Sequence, residues 1–191
     1  EPLSSLRSEA GGSFVNKRDI PAYYWDFAMP SRNTFSIPSI TQFLQDRLEG
    51  CLIIVDPFAR NSKFGTITND LNPETEAQYH MKADEFLQML IDKGVKADAI
   101  LIDPPYSPRQ VKECYESIGL DVTGQDTQTS RTMSIINGLA AQVLKTGGIA
   151  ISFGWNSTGV GMKNGMKKLS VHLIPHGSAL RDTIITVEVK E

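Results

Sequence analysis

The chain is 191 residues long, with 40% hydrophobic and 21% charged residues, which is typical of one globular domain and leaves little room for a second full domain. No apolar run approaches the roughly 20 residues that a membrane-spanning helix needs, and two cysteines do not make a disulfide framework, so we expect a cytoplasmic protein. The 19 basic and 22 acidic residues give a net charge of −3, which excludes a basic surface over the whole chain and leaves only local patches for nucleic acid.

The predicted elements begin after an N-terminal arm. Residues 1–20 have little apolar content and are expected to be mobile, whereas 21–191 are expected to form a single domain. In that domain short β-branched runs alternate with amphipathic segments, which is typical of a mostly parallel sheet covered by helices. The predicted strands are 52–56, 66–71, 99–103, 149–155, 169–175 and 183–189, and the predicted helices are 39–48, 84–93, 109–118 and 133–144.

Four connecting segments complete this prediction. A weak run at 77–82 favours a short edge strand. The 176–181 loop is too short for a crossover helix, so the last two strands are expected to pair antiparallel. The stretches 117–131 and 156–168 are polar, rich in glycine and long for a compact domain, and such loops are usually functional or disordered.

The turn Asp103-Pro104-Pro105-Tyr106 ends the apolar 99–102 run and suggests a specific chemistry. Each proline has a fixed φ and no N–H, so backbone carbonyls are left to accept hydrogen bonds from a ligand. An amino group on a flat heterocycle is a poor nucleophile because its lone pair is delocalised into the ring. Asp103 and the Pro104 carbonyl would accept its two hydrogens, and Tyr106 would stack on a base swung out of its duplex. The turn therefore indicates methylation of an exocyclic amine; the alternative is a stiff exit from a strand.

Acidic residues also follow three earlier runs, at Asp56, Asp70 and Asp84. The carboxyl ends of parallel strands meet at one edge of a sheet, so these side chains are expected to converge. A carboxylate after the second strand would accept from both ribose hydroxyls, and one after the third from an adenine amino group. Alternatively, Asp70 and Asn72 only shape a turn, and Asp84 only caps the following helix.

Taken in order, these segments resemble a known family. Residues 35–40, 55–59, 68–73, 79–84 and 103–110 are similar to motifs of small S-adenosylmethionine-dependent adenine-N6 DNA methyltransferases of phages and mobile elements, and 144–155 is similar to the family's fifth strand. The resemblance covers residues 25 to 189. Its specific part is the Asp-Pro-Pro-Tyr turn in register with the other segments.

The resemblance implies an α/β, Rossmann-like methyltransferase fold with a mostly parallel seven-stranded sheet and an antiparallel last strand, and S-adenosylmethionine as the cofactor. It implies that Asp103, Pro104, Pro105 and Tyr106 hold the target amine. Phe35 would close the methionine side of the cofactor, although a place in the core is the alternative. The implied cofactor contacts are Thr34, Phe35, Asp56, Pro57, Phe58 and Ala59 for methionine, Asp70, Leu71 and Asn72 for ribose, Ala83 and Asp84 for adenine, and Asp103 at the point of transfer.

Two features depart from the family pattern. The family's Gly-x-Gly after Asp-Pro-Phe-Ala is replaced here by Arg60-Asn61-Ser62, so we expect a variant cofactor loop. Little sequence remains for a target-recognition region, so specificity would come from the loops at 107–131 and 156–168, a second subunit or a partner protein. The candidate nucleic-acid contacts are Ser107, Arg109, Lys112, Arg131 and Trp155, with core packing as the alternative for Trp155.

The leading hypothesis is transfer of a methyl group to the N6 amine of adenine in DNA. The aspartate at position 103 favours adenine through the family resemblance. No metal is implied, because His80, His172 and His176 lack metal-ligand spacing with the cysteines. The alternatives are transfer to cytosine N4, to RNA or to a protein amide, and a non-catalytic cofactor-binding subunit of a larger complex.

Overall fold

The computed structural model of the chain describes residues 22–25, 27–29, 31, 33–105, 108–117, 119, 129–177 and 181–191. The predicted N-terminal arm at 1–20 lies outside these residues. Two members of the predicted site, Tyr106 and Ser107, lie outside them as well.

The predicted alternation of strands and helices is present, with shifted ends. A 3-10 turn at Thr34–Ser36 precedes the first helix. In chain order the strands and α-helices of the described residues are β1 (Ala22–Trp25), α1 (Pro38–Leu48), β2 (Ile54–Asp56), β3 (Ile67–Thr68), α2 (Ala83–Asp92), β4 (Ala97–Ile102), α3 (Pro108–Ser117), α4 (Thr129–Val143), β5 (Leu144–Gly154), β6 (Met166–Ile174) and β7 (Thr183–Lys190).

The strands form one seven-stranded sheet in the order β1-β6-β7-β5-β4-β2-β3. Strand β7 runs antiparallel to its neighbours β5 and β6, and all other neighbouring pairs are parallel. This confirms the predicted α/β fold with a mostly parallel seven-stranded sheet and an antiparallel last strand. It also confirms the predicted pairing of the last two strands.

One strand of the sheet differs from the prediction. The 77–82 run forms only an isolated parallel bridge, between Asn69 and Tyr79. The side chain of Gln78 helps to explain this, because its Oε1 accepts the Thr68 N–H at 3.2 Å and takes the place of a backbone acceptor. The seventh strand is instead β1, which pairs with β6 at the opposite edge of the sheet.

The predicted loop at 156–168 is shorter and better anchored than expected. Strand β6 already begins at Met166. The buried carboxylate of Glu188 in β7 accepts the N–H of Val160 at 2.6 Å and that of Gly161 at 3.1 Å. The Val160 side chain is itself part of the core, so this segment is tied to the sheet. Arg131, predicted in the other long loop, lies in α4.

The core consists of two layers, one on each side of the sheet. On β4, Ile100 packs in the layer formed with α2 and α4, whereas its neighbour Leu101 packs in the layer formed with α1. On β2, Ile54 belongs to the α1 layer. Because side chains alternate along a strand, Asp56 lies on the α1 side as well, at the carboxyl end of β2.

Candidate functional site

The carboxyl ends of β3, β2 and β4 lie side by side and bring three acidic side chains together. Asp56 is the last residue of β2, Asp70 comes shortly after β3, and Asp103 directly follows β4. The negative charges of Asp103 and Asp70 both act on the Asp56 carboxyl group. These three predicted site residues therefore share one edge of the sheet, the acidic edge.

Asp56 is fully buried and only partly hydrogen bonded. Its Oδ1 accepts the Phe58 N–H at 3.1 Å, whereas Oδ2 has no hydrogen-bond partner among the described residues. Gly65 packs directly on this side chain, since a Cβ at Gly65 would lie 2.8 Å from the Asp56 Cβ. Burial raises the pKa of Asp56 to about 8; the Phe58 N–H opposes this rise, and the charges of Asp103 and Asp70 add to it. Burial therefore favours the protonated form of this carboxyl group.

Asp70 organises the two loops beside it. Its Oδ1 accepts the Asn72 N–H at 2.9 Å, and its Oδ2 accepts the Arg60 N–H at 2.9 Å. Asn72 Oδ1 in turn accepts the Glu74 N–H at 2.9 Å. The turn-shaping role considered from the sequence is thus present. A carboxylate has about four acceptor positions, and the bonds seen among the described residues occupy two of them. Binding of ribose by Asp70 and its half-buried neighbours Leu71 and Asn72 stays a prediction.

The loop after β2, predicted to be a variant cofactor loop, contains a residue in a backbone conformation that favours glycine. Arg60 has φ 50°, and it is the one non-glycine residue with a positive φ in the described part of the chain. The family carries glycine immediately after Asp-Pro-Phe-Ala, and Arg60 occupies that place. Arg60 is therefore left-handed at a place where the resembled family has glycine, and the Asp70 carboxylate accepts its N–H.

Arg60→Gly is expected to be more stable than Arg60→Ala by about 1 kcal/mol. Both variants remove the same long side chain, so their difference isolates the strain of a Cβ in the left-handed region. Urea unfolding of the two variants, followed by circular dichroism, measures this difference. An alanine variant as stable as the glycine variant would show that no such strain is present.

Asn69 joins three segments of the site and was not singled out from the sequence. This buried side chain donates from Nδ2 to the Pro57 carbonyl at 3.1 Å and to the Met81 carbonyl at 3.0 Å, and its Oδ1 accepts the Met81 N–H at 3.1 Å. Its own backbone carbonyl accepts the Ala59 N–H at 2.9 Å. A polar residue immediately before Asp70, at a strand end, was the available signal.

Asp84 lies at the second residue of α2. Lys82 is the N-cap of this helix and no side chain caps it, so the alternative that Asp84 is the N-cap is wrong. The half-buried Asp84 lines a groove between α2 and α4, opposite Ile135. Ala83 packs against the core layer on that side. A contact of Ala83 and Asp84 with adenine remains a prediction.

The remaining predicted cofactor contacts lie around the ends of the same strands. Thr34 and Phe35 form the 3-10 turn before α1. The Phe35 ring packs against Phe153, with ring centroids 4.9 Å apart, and against the α1 core layer, which agrees with the core alternative. After β2, Pro57 and Ala59 are buried, and the half-buried Phe58 packs on the α2 layer.

The Asp103-Pro104-Pro105 turn, predicted to be catalytic, begins where the buried strand β4 ends. Residues 99–102 are all buried, Pro104 is buried, and Asp103 and Pro105 are half-buried. The carboxyl group of Asp103 acts electrostatically on Asp56 across the boundary between β4 and β2. The described part of the turn thus offers a carboxylate and proline carbonyls next to the acidic edge.

Candidate nucleic-acid contacts lie on three elements. Trp155 directly follows β5 and is half-buried, with the Arg181 guanidinium 4.2 Å from its ring centroid. Arg109 and Lys112 are exposed on α3, and Lys112 pairs with Glu116 at 3.5 Å. Arg131 is exposed on α4. Their roles in binding stay predictions, as do those of Tyr106 and Ser107.

The described histidines serve local structure. His176 Nδ1 lies 2.8 Å from the Ala28 carbonyl oxygen and its Nε2 lies 2.8 Å from Thr183 Oγ1. His172 Nε2 lies 3.0 Å from Ser170 Oγ. Among the described residues, no three His, Cys, Asp or Glu side chains form a group suited to a metal ion. Within that part of the chain, none of the helices is long and apolar enough to cross a membrane.

The fold is similar to that of several solved structures. They include NSun6 from Pyrococcus horikoshii, solved with SFG (17% identity, TM-score 0.51, covering 77% of this chain and 50% of that one). TrmN from Thermus thermophilus has 14% identity and a TM-score of 0.52, covering 81% of this chain and 49% of that one. SMU.776, which is described as a methyltransferase and was solved with SAH, has 12% identity and a TM-score of 0.53, covering 78% and 48%.

These similarities show a Rossmann-like methyltransferase fold. The chain spans about half the length of the structures that it matches. No protein-family model matches the sequence, and a search of curated proteins finds no match.

Proposed function

We propose that this chain transfers a methyl group from S-adenosylmethionine to the N6 amine of adenine in DNA. The observation that carries the proposal is the Asp103-Pro104-Pro105 turn at the end of β4, next to the carboxyl groups of Asp56 and Asp70 in a methyltransferase fold. In this proposal residues 21–191 are a single catalytic domain without a separate target-recognition domain.

The acidic edge fits a cofactor that carries positive charge. Asp56 presents a buried oxygen without a partner among the described residues, and Asp70 has acceptor positions left after its two backbone bonds. When bound, S-adenosylmethionine supplies an electrophilic methyl group on a sulfonium. The residues that would hold it are those around Asp56 for the methionine part, Asp70 for the ribose and Asp84 for the adenine. The SAH and SFG named with SMU.776 and NSun6 support this choice.

The turn would prepare the target amine. The Asp103 carboxylate and the Pro104 carbonyl accept its two hydrogens, which draws the nitrogen lone pair out of conjugation and towards the incoming methyl group. Because neither proline has an N–H, the turn does not present a competing donor at these positions. Tyr106 stacks on the base after it has left the duplex, and Arg109 and Lys112 on α3 contact the phosphates.

The test offers three polymers to one protein. The full chain is incubated with isotopically labelled S-adenosylmethionine and with DNA, RNA or cell protein, and the products are digested and identified by mass spectrometry. We expect labelled N6-methyladenine from DNA. Label confined to RNA or protein contradicts the DNA substrate, and no label on any polymer contradicts the enzymatic proposal.

Asp70→Ala is expected to weaken cofactor binding by about 10- to 100-fold, because hydrogen bonds to a charged group contribute about 1.5–3 kcal/mol. The variant also frees the Arg60 and Asn72 N–H groups from their partner. Isothermal titration calorimetry with S-adenosylmethionine measures the affinity. Glu74→Ala is the matched control, since it removes an exposed carboxylate from the same loop and leaves the Asp70 carboxylate with its two backbone bonds. Equal affinities for the Asp70 variant and wild type would remove Asp70 from the ribose site.

A further inference from the structure

The carboxyl group of Asp56 combines features that a purely structural side chain rarely has. It is fully buried, it accepts one hydrogen bond from the Phe58 N–H, and its second oxygen has no partner among the described residues. A buried polar atom without a partner costs about 1–3 kcal/mol. Such an atom at the edge of a candidate ligand site suggests that its partner is the ligand.

Among the described residues, the charges that act on Asp56 are those of two carboxylates. Asp103 faces it from the end of β4 and Asp70 from the end of β3. The 57–65 segment brings Arg60, whose N–H bonds to Asp70, and Lys63, which pairs with Glu76. The 3-10 turn before α1 and the first turn of α1, residues 34–41, contain no ionisable side chain.

Burial raises the pKa of Asp56 to about 8, and the negative charges of Asp103 and Asp70 add to the rise, so burial and charge both favour the protonated form. A positive charge placed at this edge would reverse the balance, because it favours the ionised form of a neighbouring carboxyl group. S-adenosylmethionine carries such a charge on its sulfonium, in addition to the α-ammonium group that it shares with the product. After transfer of the methyl group the product carries an uncharged sulfide at the same atom, so the sulfonium charge is the one that distinguishes the two ligands.

We infer that Asp56 is protonated in the free protein and releases its proton to solvent when the sulfonium of S-adenosylmethionine binds, so that the protein distinguishes cofactor from product by one proton. This inference rests on the proposed function, since it takes S-adenosylmethionine as the ligand. No other bond is made or broken in the step. After methyl transfer Asp56 takes a proton back from solvent. The site then lacks the negative charge that paired with the sulfonium, which favours release of the product and binding of new cofactor.

The sign of the pH dependence follows from this linkage. Below the pKa of the free protein, binding of S-adenosylmethionine has to displace a proton, so its affinity rises with pH by up to about tenfold per unit. Above about pH 8 the proton is already lost and the affinity levels off. Binding of the sulfide product displaces no proton from Asp56, so the titration of Asp56 adds no pH dependence to the affinity for the product.

The ligand's own amino group is a competing source of protons, because α-amino groups titrate at about pH 7.7–8.0. Asp56→Asn is the matched control. Asparagine keeps the shape of the side chain and an oxygen for the Phe58 N–H, and it cannot ionise. The contribution of Asp56 is therefore the difference between wild type and this variant with the same ligand.

The experiment is isothermal titration calorimetry of the full chain with S-adenosylmethionine and with S-adenosylhomocysteine, in buffers of different ionisation enthalpy, at about pH 7. With S-adenosylmethionine, we expect wild type to release close to one more proton than Asp56→Asn. With S-adenosylhomocysteine, we expect wild type and Asp56→Asn to release the same number of protons. Equal release by wild type and variant with the first ligand, or an equal excess with both ligands, would overturn the inference and leave the proposed function standing.

Infrared difference spectroscopy of the wild-type protein serves the same purpose if Asp56→Asn does not fold. The band of a protonated carboxyl group should disappear on binding of S-adenosylmethionine and persist with S-adenosylhomocysteine; persistence with both would overturn the inference. Absence of binding by either ligand would contradict the proposed function itself and this inference with it.

Discussion

Asp103→Ala is expected to lower the rate of methyl transfer by about 10²- to 10³-fold, the usual effect of removing one group that stabilises a transition state. The Kd for S-adenosylmethionine should change much less than the rate, because the predicted cofactor contacts at Asp70 and Asp84 remain. Single-turnover transfer to DNA and calorimetric titration of the cofactor measure the two quantities separately. A loss confined to Kd would move Asp103 from the catalytic step to cofactor binding.

Asp98→Ala is the matched control for this substitution. Asp98 lies at the amino end of the same strand, where its carboxylate accepts the N–H groups of Leu52 and Ile53 and pairs with Lys145. The hydrogen bond from Lys145 and those from the two N–H groups hold the pKa of Asp98 at about 2, so the variant should be less stable above about pH 4 and as stable as wild type well below it. Its rate of transfer, measured where it is folded, should equal that of wild type. A full rate in Asp103→Ala would remove the turn from catalysis.

The strand that leads to Asp103 was predictable because its signal is local. Residues 99–102 are a continuous apolar run, and such runs are typical of central parallel strands buried on both faces. The edge strand β1 was not predicted. Its four residues pair only with β6, almost 150 positions later in the chain, and no local pattern reports such a contact.

The sequence could predict which residues form the candidate site. It could not predict the burial and the charges that set the pKa of Asp56. The strand ends at Asp56, Asp70 and Asp103 could be recognised in the sequence because strand order brings them together. The raised pKa of Asp56 depends on its burial, to which Gly65 contributes, and on the charges of Asp103 and Asp70 at the ends of two other strands, which are properties of the folded chain. The left-handed backbone at Arg60 was equally hidden, since arginine gives no sequence signal for a positive φ.

Asn69 is the residue that the sequence concealed most fully, and its removal should have the second large effect. Asn69→Ala is expected to lower the free energy of unfolding by about 3 kcal/mol, because it removes three hydrogen bonds and leaves the Met81 N–H and two carbonyl groups without their partner in a buried place. Urea unfolding measures this loss. Asn72→Ala, which removes a single bond to the Glu74 N–H in an exposed turn, should cost less than about 1 kcal/mol.

Asn69→Ala also tests whether a residue that only supports the site, without touching the cofactor, affects cofactor binding. Asn69 links the Pro57 segment, predicted at the methionine part, to Met81, just before the predicted adenine contact at Asp84. If these segments bind one ligand, loosening their link should weaken S-adenosylmethionine binding although Asn69 is itself buried. Asn69→Asp tests the geometry further: it keeps the acceptor for the Met81 N–H and loses both donors, so it should be destabilised as well. Wild-type stability in both variants would mean that the backbone alone holds these segments together.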